Sequence, residues 1–266
     1  MVGTPIPVAL AVAAHDPLGG AGLAADLTTF AALGVHGTLA ITAVTAQHLD
    51  RVDRVEPVGP ELLAGQLDGV EATWSLDAVK TGLLGSAQAV RLVAQRVVSG
   101  QLPAPVVDPV LVDGRGEPLG SQELRQAYRE ELLPLARVVT PNLAELSVLL
   151  ASPVASVAEI PERIDEIVNL GAEVVVVTGG SEPGGPAVDA AVFADGSCEW
   201  LEAAWVDTAH VRGSGCTFAA AIAAELARGR TVSEALVTAK RFVSQRLALA
   251  DWPGLDGVGP VPHWLG

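Results

Sequence analysis

Short blocks of consecutive apolar residues alternate along the chain with longer stretches in which apolar residues recur every three or four positions. The first pattern marks strands buried on both faces and the second marks amphipathic helices. Strands are predicted over Val8–Ala13, Leu39–Thr45, Asp77–Lys80, Pro105–Asp108, Arg137–Thr140 and Glu173–Thr178. Helices are predicted from Leu23 to a stop at Gly34, and over Glu61–Val70, Ala87–Val98, Gln122–Leu133, Asn142–Leu150, Ser156–Leu170, Cys216–Arg228 and Ser233–Ala250. Thr231 and Glu234 form a capping-box pattern ahead of the last of these. Thr81-Gly82 reads as a turn and 179–189 as a Gly/Pro loop. Ala190–Ala194 and Glu199–Val206 read as an antiparallel pair.

Strand and helix alternate through most of the chain, which predicts a three-layer α/β/α fold around a mostly parallel sheet. No repeat, low-complexity tract or linker interrupts it, so residues 1–266 are expected to form one domain. In such folds ligands gather beyond the carboxyl ends of the strands. That rule selects Asp16, Gln47, Lys80 with Thr81, Asp108, Thr140 with Asn142 and Glu145, Thr178, and the loop Gly213–Cys216.

Composition narrows the partners. A formal net charge of −15 argues against nucleic acid and anionic membrane surfaces. Two cysteines, Cys198 and Cys216, make no disulfide framework, and a reducing cytoplasm is the expected compartment. The apolar start of the chain lacks a basic region and holds Pro5 and Pro7, a poor match to a signal peptide. The run from Leu27 to Leu49 carries no Asp, Glu, Lys or Arg but is rich in Thr, His and Gly, and is not read as a membrane span.

The strongest local chemistry lies in Val211-Arg-Gly-Ser-Gly-Cys-Thr-Phe218, a Gly-x-Gly turn entering a run of small helix formers. Free N–H groups and the macrodipole at such a helix start suit an anion, and Ser214 and Thr217 add hydroxyls. Cys216 sits where a thiolate would be stabilised, though a cysteine there also serves as a small buried hydrophobe. Asp108 and Glu145 could hold Mg²⁺ beside nucleotide phosphates, or cap a turn and favour a helix start. Asp26 could meet a ligand's polar edge or be a solvated helix residue. The Gln47 amide could pair with a heterocycle or be a satisfied loop side chain. The five histidines show no metal-ligand spacing.

Taken in order, Asp16-Pro-Leu-Gly-Gly-Ala-Gly-Leu-Ala-Ala-Asp-Leu27, Thr29-Phe-Ala-Ala-Leu-Gly-Val-His-Gly37, Thr42-Ala-Val-Thr-Ala-Gln47, Lys80-Thr-Gly82, Asp108-Pro-Val110, Thr140-Pro-Asn-Leu-Ala-Glu145, Gly213-Ser-Gly-Cys-Thr217 and Gly259-Pro-Val-Pro-His263 resemble the hydroxymethylpyrimidine/phosphomethylpyrimidine kinases of thiamine biosynthesis, in the ribokinase-like superfamily. The resemblance covers nearly the whole chain. It implies an ATP- and Mg²⁺-dependent kinase that phosphorylates 4-amino-5-hydroxymethyl-2-methylpyrimidine and then its monophosphate, as a cytoplasmic homodimer. It places Gly20, Gly22, Asp26, Gln47 and Val110 at the pyrimidine. Asn142, Thr178, Gly180 and Arg212 fall at the nucleotide, and Asp108 and Glu145 at the Mg²⁺–phosphate region. Gly213, Ser214, Gly215 and Cys216 fall where transferring charge is stabilised.

The chain departs from the family pattern at several points. Thr178-Gly179-Gly180 stands where a Lys-Gly-Gly is usual, His48 follows Gln47 in place of Asn, and Arg212 precedes the glycine loop in place of His. Arg212 and Arg115 are expected to restore positive charge towards the phosphates. A kinase for pyridoxal or a related heterocyclic alcohol, and a catalytically weak ligand-binding paralogue, are the alternatives.

Overall fold

A computed structural model describes residues 5–113, 116–181 and 185–264. Among these residues nine strands form one sheet in the order β3-β2-β1-β4-β5-β6-β7-β8-β9. They are β1 (Val8–His15), β2 (His36–Gln47), β3 (Val52–Pro57), β4 (Ala78–Thr81), β5 (Val106–Val107), β6 (Val138–Val139), β7 (Val174–Ser181), β8 (Ala187–Phe193) and β9 (Cys198–Ala203). The run β2-β1-β4-β5-β6-β7 is parallel, while β3, at one edge, and β8 and β9, at the other, add antiparallel pairs.

The apolar strands bury both faces, and their two-residue period divides the core. Leu10 and Val12 of β1, with Val175 and Val177 of β7, face one layer. Packed there are α2 (Pro60–Thr73), α3 (Ala87–Val98), α4 (Gln122–Ala127), α5 (Leu143–Leu150) and α6 (Ile164–Val168). Ala9, Ala11, Ala13, Val174 and Val176 face the other layer, made of α1 (Gly22–Ala32), α7 (Ser214–Ala227) and α8 (Val232–Ala248). On that side sheet alanines meet Ala219–Ala224 of α7. Small residues on both partners let α7 lie close to the sheet, and this sets the depth of its first turn.

Several local expectations change. Val52–Pro57 is a strand that its mixed charges and terminal proline concealed, and it lies on the sheet edge, where such residues are tolerated. Thr81 is the last residue of β4 rather than part of a turn. The helix expected over Gln122–Leu133 is α4 followed by a π turn at Tyr128–Leu132 and a 3₁₀ turn at Leu133–Leu135. The helix expected over Ser156–Leu170 is a 3₁₀ segment, Val157–Glu162, then the short α6; Pro161 removes an N–H inside it. Among the described residues no helix is long and apolar enough to cross a membrane.

Candidate active site

The parallel strands all end on one edge, where a cleft of about 780 Å³ opens. Its walls include Asp108, Val110, Asn142, Glu145, Thr178, Arg212, Gly213, Ser214, Gly215 and Cys216. Gly20, Gly22, Asp26 and Gln47 are not on that wall. A shallower depression of about 590 Å³ among Arg228, Arg230 and Arg241 lies off the outer ends of α7 and α8 and contains no strand-end residue.

The glycine loop is built for close approach. Gly213 caps α7 at φ +79°, the left-handed region, and a Cβ there would collide with the Gly20 carbonyl oxygen. α7 starts at Ser214, two residues earlier than its sequence predicts. Ser214 N donates to Val211 O at 3.1 Å and Thr217 N to Gly213 O at 2.8 Å, so Gly215 and Cys216 carry the first-turn N–H groups that lack a helical carbonyl. Thr217 donates its hydroxyl hydrogen to Gly213 O at 2.8 Å, and so accepts from His263 Nδ1, also at 2.8 Å. That arrangement assigns the Nδ1–H tautomer and leaves Nε2 bare. His263 is buried, and burial lowers its pKa to about 4.

Cys216 lines the cleft beside this loop, but the thiolate expectation does not hold. Desolvation pushes the thiol well above its ordinary range; Asp108 and Asp26 add to the rise, and Lys80 opposes it only in part. At neutral pH Cys216 is a thiol.

Lys80, selected as a strand-end residue but given no role, is the centre of the buried charges. Its side chain has no exposure, and Nζ lies 2.9 Å from Asp26 Oδ1, 3.0 Å from Asp26 Oδ2 and 3.6 Å from Asp108 Oδ2. Burial disfavours the ammonium, but Asp26, Cys216 and Asp108 outweigh it and its pKa rises. Burial also pushes Asp26 up to about 6 against the pull of Lys80. Asp26 is therefore neither a solvated helix residue nor an open ligand-binding carboxylate. The signal for Lys80 was a charged residue inside a wholly buried strand.

Asp108 and Glu145 both line the cleft, near enough for their charges to interact. Glu145 Oε2 accepts from Asn142 N at 3.0 Å, completing the capping box of α5, and Oε1 accepts from Leu111 N at 3.4 Å. Burial first, and Asp108 second, push Glu145 up to about 8. Asp108 Oδ2 is buried with no hydrogen-bond partner. Two buried carboxylates that repel each other, one with an oxygen that accepts no hydrogen bond and has only the Lys80 ammonium at 3.6 Å, fit a divalent cation held directly or through water.

At the β7 end, Lys240 of α8 lies 2.7 Å from Asp189 Oδ2, while Gly179 N donates to Asp189 Oδ1 at 3.2 Å. Neither Lys240 nor Asp189 was singled out in the sequence, because only the fold brings α8 and β8 to the cleft. Arg212 lines the cleft together with Asn142 and Thr178. Its guanidinium donates to Gln47 Oε1, the Leu49 carbonyl and Asp16, at the β1–β2 end. Arg115 lies outside the described residues.

Residues 16–262 match the family model described as phosphomethylpyrimidine kinase. A hydroxymethylpyrimidine/phosphomethylpyrimidine kinase of Rhizobium meliloti is 40% identical over 260 residues, 97% of each chain. A pyridoxine kinase of Bacillus subtilis is 38% identical over 260 residues, covering 96% of this chain and 95% of its own. The solved ADP complex of Bacillus subtilis pyridoxal kinase superposes with a TM-score of 0.88 at 37% identity, over 97% of this chain and 98% of that one. The fold is ribokinase-like, the enzyme class is a phosphate-transferring kinase, and the chain belongs to the phosphomethylpyrimidine kinase family.

Proposed function

We propose that this chain transfers the γ-phosphoryl group of ATP to the hydroxymethyl oxygen of 4-amino-5-hydroxymethyl-2-methylpyrimidine, and then to the resulting monophosphate, in thiamine biosynthesis. The observation that carries the reading is that the Gly213–Cys216 helix start and the Asp108–Glu145 pair line one cleft. Phosphoryl transfer needs little covalent help; it needs positioning and a place for negative charge.

In this reading the loop Gly213–Cys216 receives the charge that builds on the transferring group, with the N–H groups of Gly215 and Cys216 and the Ser214 hydroxyl as donors. Asn142, Thr178 and Gly180 hold the nucleotide. Asp108 and Glu145 hold Mg²⁺, which when bound neutralises phosphate charge. Gln47 and Val110 contact the pyrimidine, with Gly20 and Gly22 shaping the backbone behind it and Asp26 acting through Lys80. Cys216, a thiol, serves as a polar wall and not as a base. The residues act as one domain, and the active form is a cytoplasmic homodimer by likeness to the family.

An ATP-consumption assay with the pyrimidine alcohol, its monophosphate and pyridoxal, each with and without Mg²⁺, tests the reading. Turnover of both pyrimidines only with Mg²⁺ is the expected result. A second reading, pyridoxal kinase, has the likeness to the Bacillus subtilis enzymes in its favour. Turnover of pyridoxal alone would establish it, and tight binding without turnover would make the chain a non-catalytic binder.

A further inference from the structure

Arg212 is tied down at its backbone and at both terminal nitrogens. Its N–H donates to Gly259 O at 3.0 Å and its carbonyl accepts from Val261 N at 2.9 Å. Nη1 donates to Leu49 O at 2.9 Å, and Nη2 to Gln47 Oε1 at 2.8 Å and to Asp16 Oδ2 at 3.4 Å. Asp16 is anchored in turn, its Oδ1 accepting from Leu18 N at 2.9 Å. Gly20 leaves room for this packing: a Cβ there would lie 2.9 Å from Pro260 Cβ and 3.5 Å from Arg212 Cδ. The guanidinium is thus a fixed fork rather than a swinging cation.

A guanidinium only donates, so an amide beside it must present its oxygen. Were the Gln47 amide turned by half a rotation, Nε2 would meet Nη2, donor against donor. Arg212 therefore decides which end of the Gln47 amide is which.

Resting on the reading that Gln47 contacts the pyrimidine, we infer that Arg212 is a positioning residue for substrate selection, holding the Gln47 amide in the one orientation that accepts a 4-aminopyrimidine edge and rejects a 4-oxopyrimidine edge. The amino edge offers an N–H donor beside a ring-nitrogen acceptor. The first meets the remaining lone pair of Oε1 and the second meets an Nε2 hydrogen. The oxo edge, in its N–H tautomer, reverses the order and needs the turned-over amide that Arg212 forbids. Without Arg212 the amide turns freely and serves either edge.

The test compares kcat/KM for 4-amino-5-hydroxymethyl-2-methylpyrimidine and for its 4-oxo counterpart, with ATP and Mg²⁺, in the wild type, Arg212→Met and Arg212→His. The neutral imidazole of the second variant can donate or accept and does not fix the amide; it carries the comparison if the methionine variant fails to fold. The wild type is expected to prefer the amino substrate by roughly tenfold or more. Both variants should lose about that factor through a relative gain on the oxo substrate. A general structural defect would lower both rates and leave their ratio alone. An unchanged ratio in a folded variant, or a wild type that does not discriminate, overturns the inference while leaving the kinase reading intact. A wild type that turns over neither pyrimidine overturns that reading and the inference with it.

Discussion

Lys80 Nζ lies 2.9 Å from Asp26 Oδ1, and neither side chain reaches solvent. The pair joins α1 to β4 beneath the glycine loop, with Asp108 a further 3.6 Å contact of the same ammonium. Removing one partner leaves a charge buried without compensation, which costs about 3–5 kcal/mol. Lys80→Met should lose stability of that order in urea unfolding. The double variant Lys80→Met/Asp26→Asn, with no stranded charge at Asp26, should recover a measurable part of it. Equal loss in the single and double variants would show that the pair is not what holds this region.

The carboxylate pair makes a prediction about metal and one about pH. Asp108→Asn should lower kcat by roughly 100-fold and raise the Mg²⁺ concentration needed for half-maximal rate. In the metal-free protein, folded Glu145 keeps a proton up to about pH 8, whereas the unfolded chain releases it near 4.5. The folded state then binds more protons between those values, so this group makes stability fall as pH rises through the window. Glu145→Gln stays neutral and retains capping-box chemistry. Its melting temperature should exceed that of the wild type at pH 8, with the gap closing towards pH 4.5. A gap that does not vary with pH would contradict the assignment.

Gly213 and Cys216 should respond very differently to substitution. Gly213→Ala puts a side chain on a left-handed residue and against the Gly20 carbonyl, so it should collapse the anion-binding turn and kcat together. Cys216→Ser, which keeps a neutral polar group, should hold kcat within about tenfold and leave the pH–rate profile unchanged between pH 6 and 8. Because the thiol stays protonated, iodoacetamide should alkylate Cys216 more slowly than a model thiol at pH 8. Rapid alkylation there would mean that a thiolate forms after all.

His263 is held neutral by burial, with a pKa of about 4 against an ordinary 6.5. Between those values the unfolded chain takes up a proton that the folded protein refuses. Stability should therefore be lost as pH falls from 6.5 to 4, by about 1–3 kcal/mol. Denaturation midpoints across that range should show the loss in the wild type, and His263→Gln should flatten it. A parallel slope in the variant would assign the acid sensitivity to other groups.

Much of this was legible because strand ends in a parallel sheet fall on one edge whatever the loops do. Asp108, Glu145, Thr178 and the Gly213–Cys216 loop were found that way, and the cleft holds all of them. Arg212 and Asp26 were legible as residues but not as directions. A side chain at a loop or on a helix can serve several sites, and which one depends on neighbours far along the chain. Asp16 and Gln47 claim Arg212 across more than 160 residues of sequence. Lys240 and Asp189 were missed for the same reason: their distance from the other site residues in the chain hides a shared wall.

The amino-acid sequence alone determined the alternation of buried strands and amphipathic helices, hence the layered sheet and the edge where chemistry gathers. It also carried the ordered motifs that resemble one kinase family, because backbone turns and helix starts are local requirements met by local residues. The tertiary structure alone decided the state of each charged group. Burial and partners set whether Cys216 is a thiol, whether Asp26 is open or locked to Lys80, and where Arg212 points, since desolvation and pairing depend on the atoms that surround a group in space. The glycine loop was visible from the start as a place for an anion, and its surroundings, not its own residues, determine what it works beside.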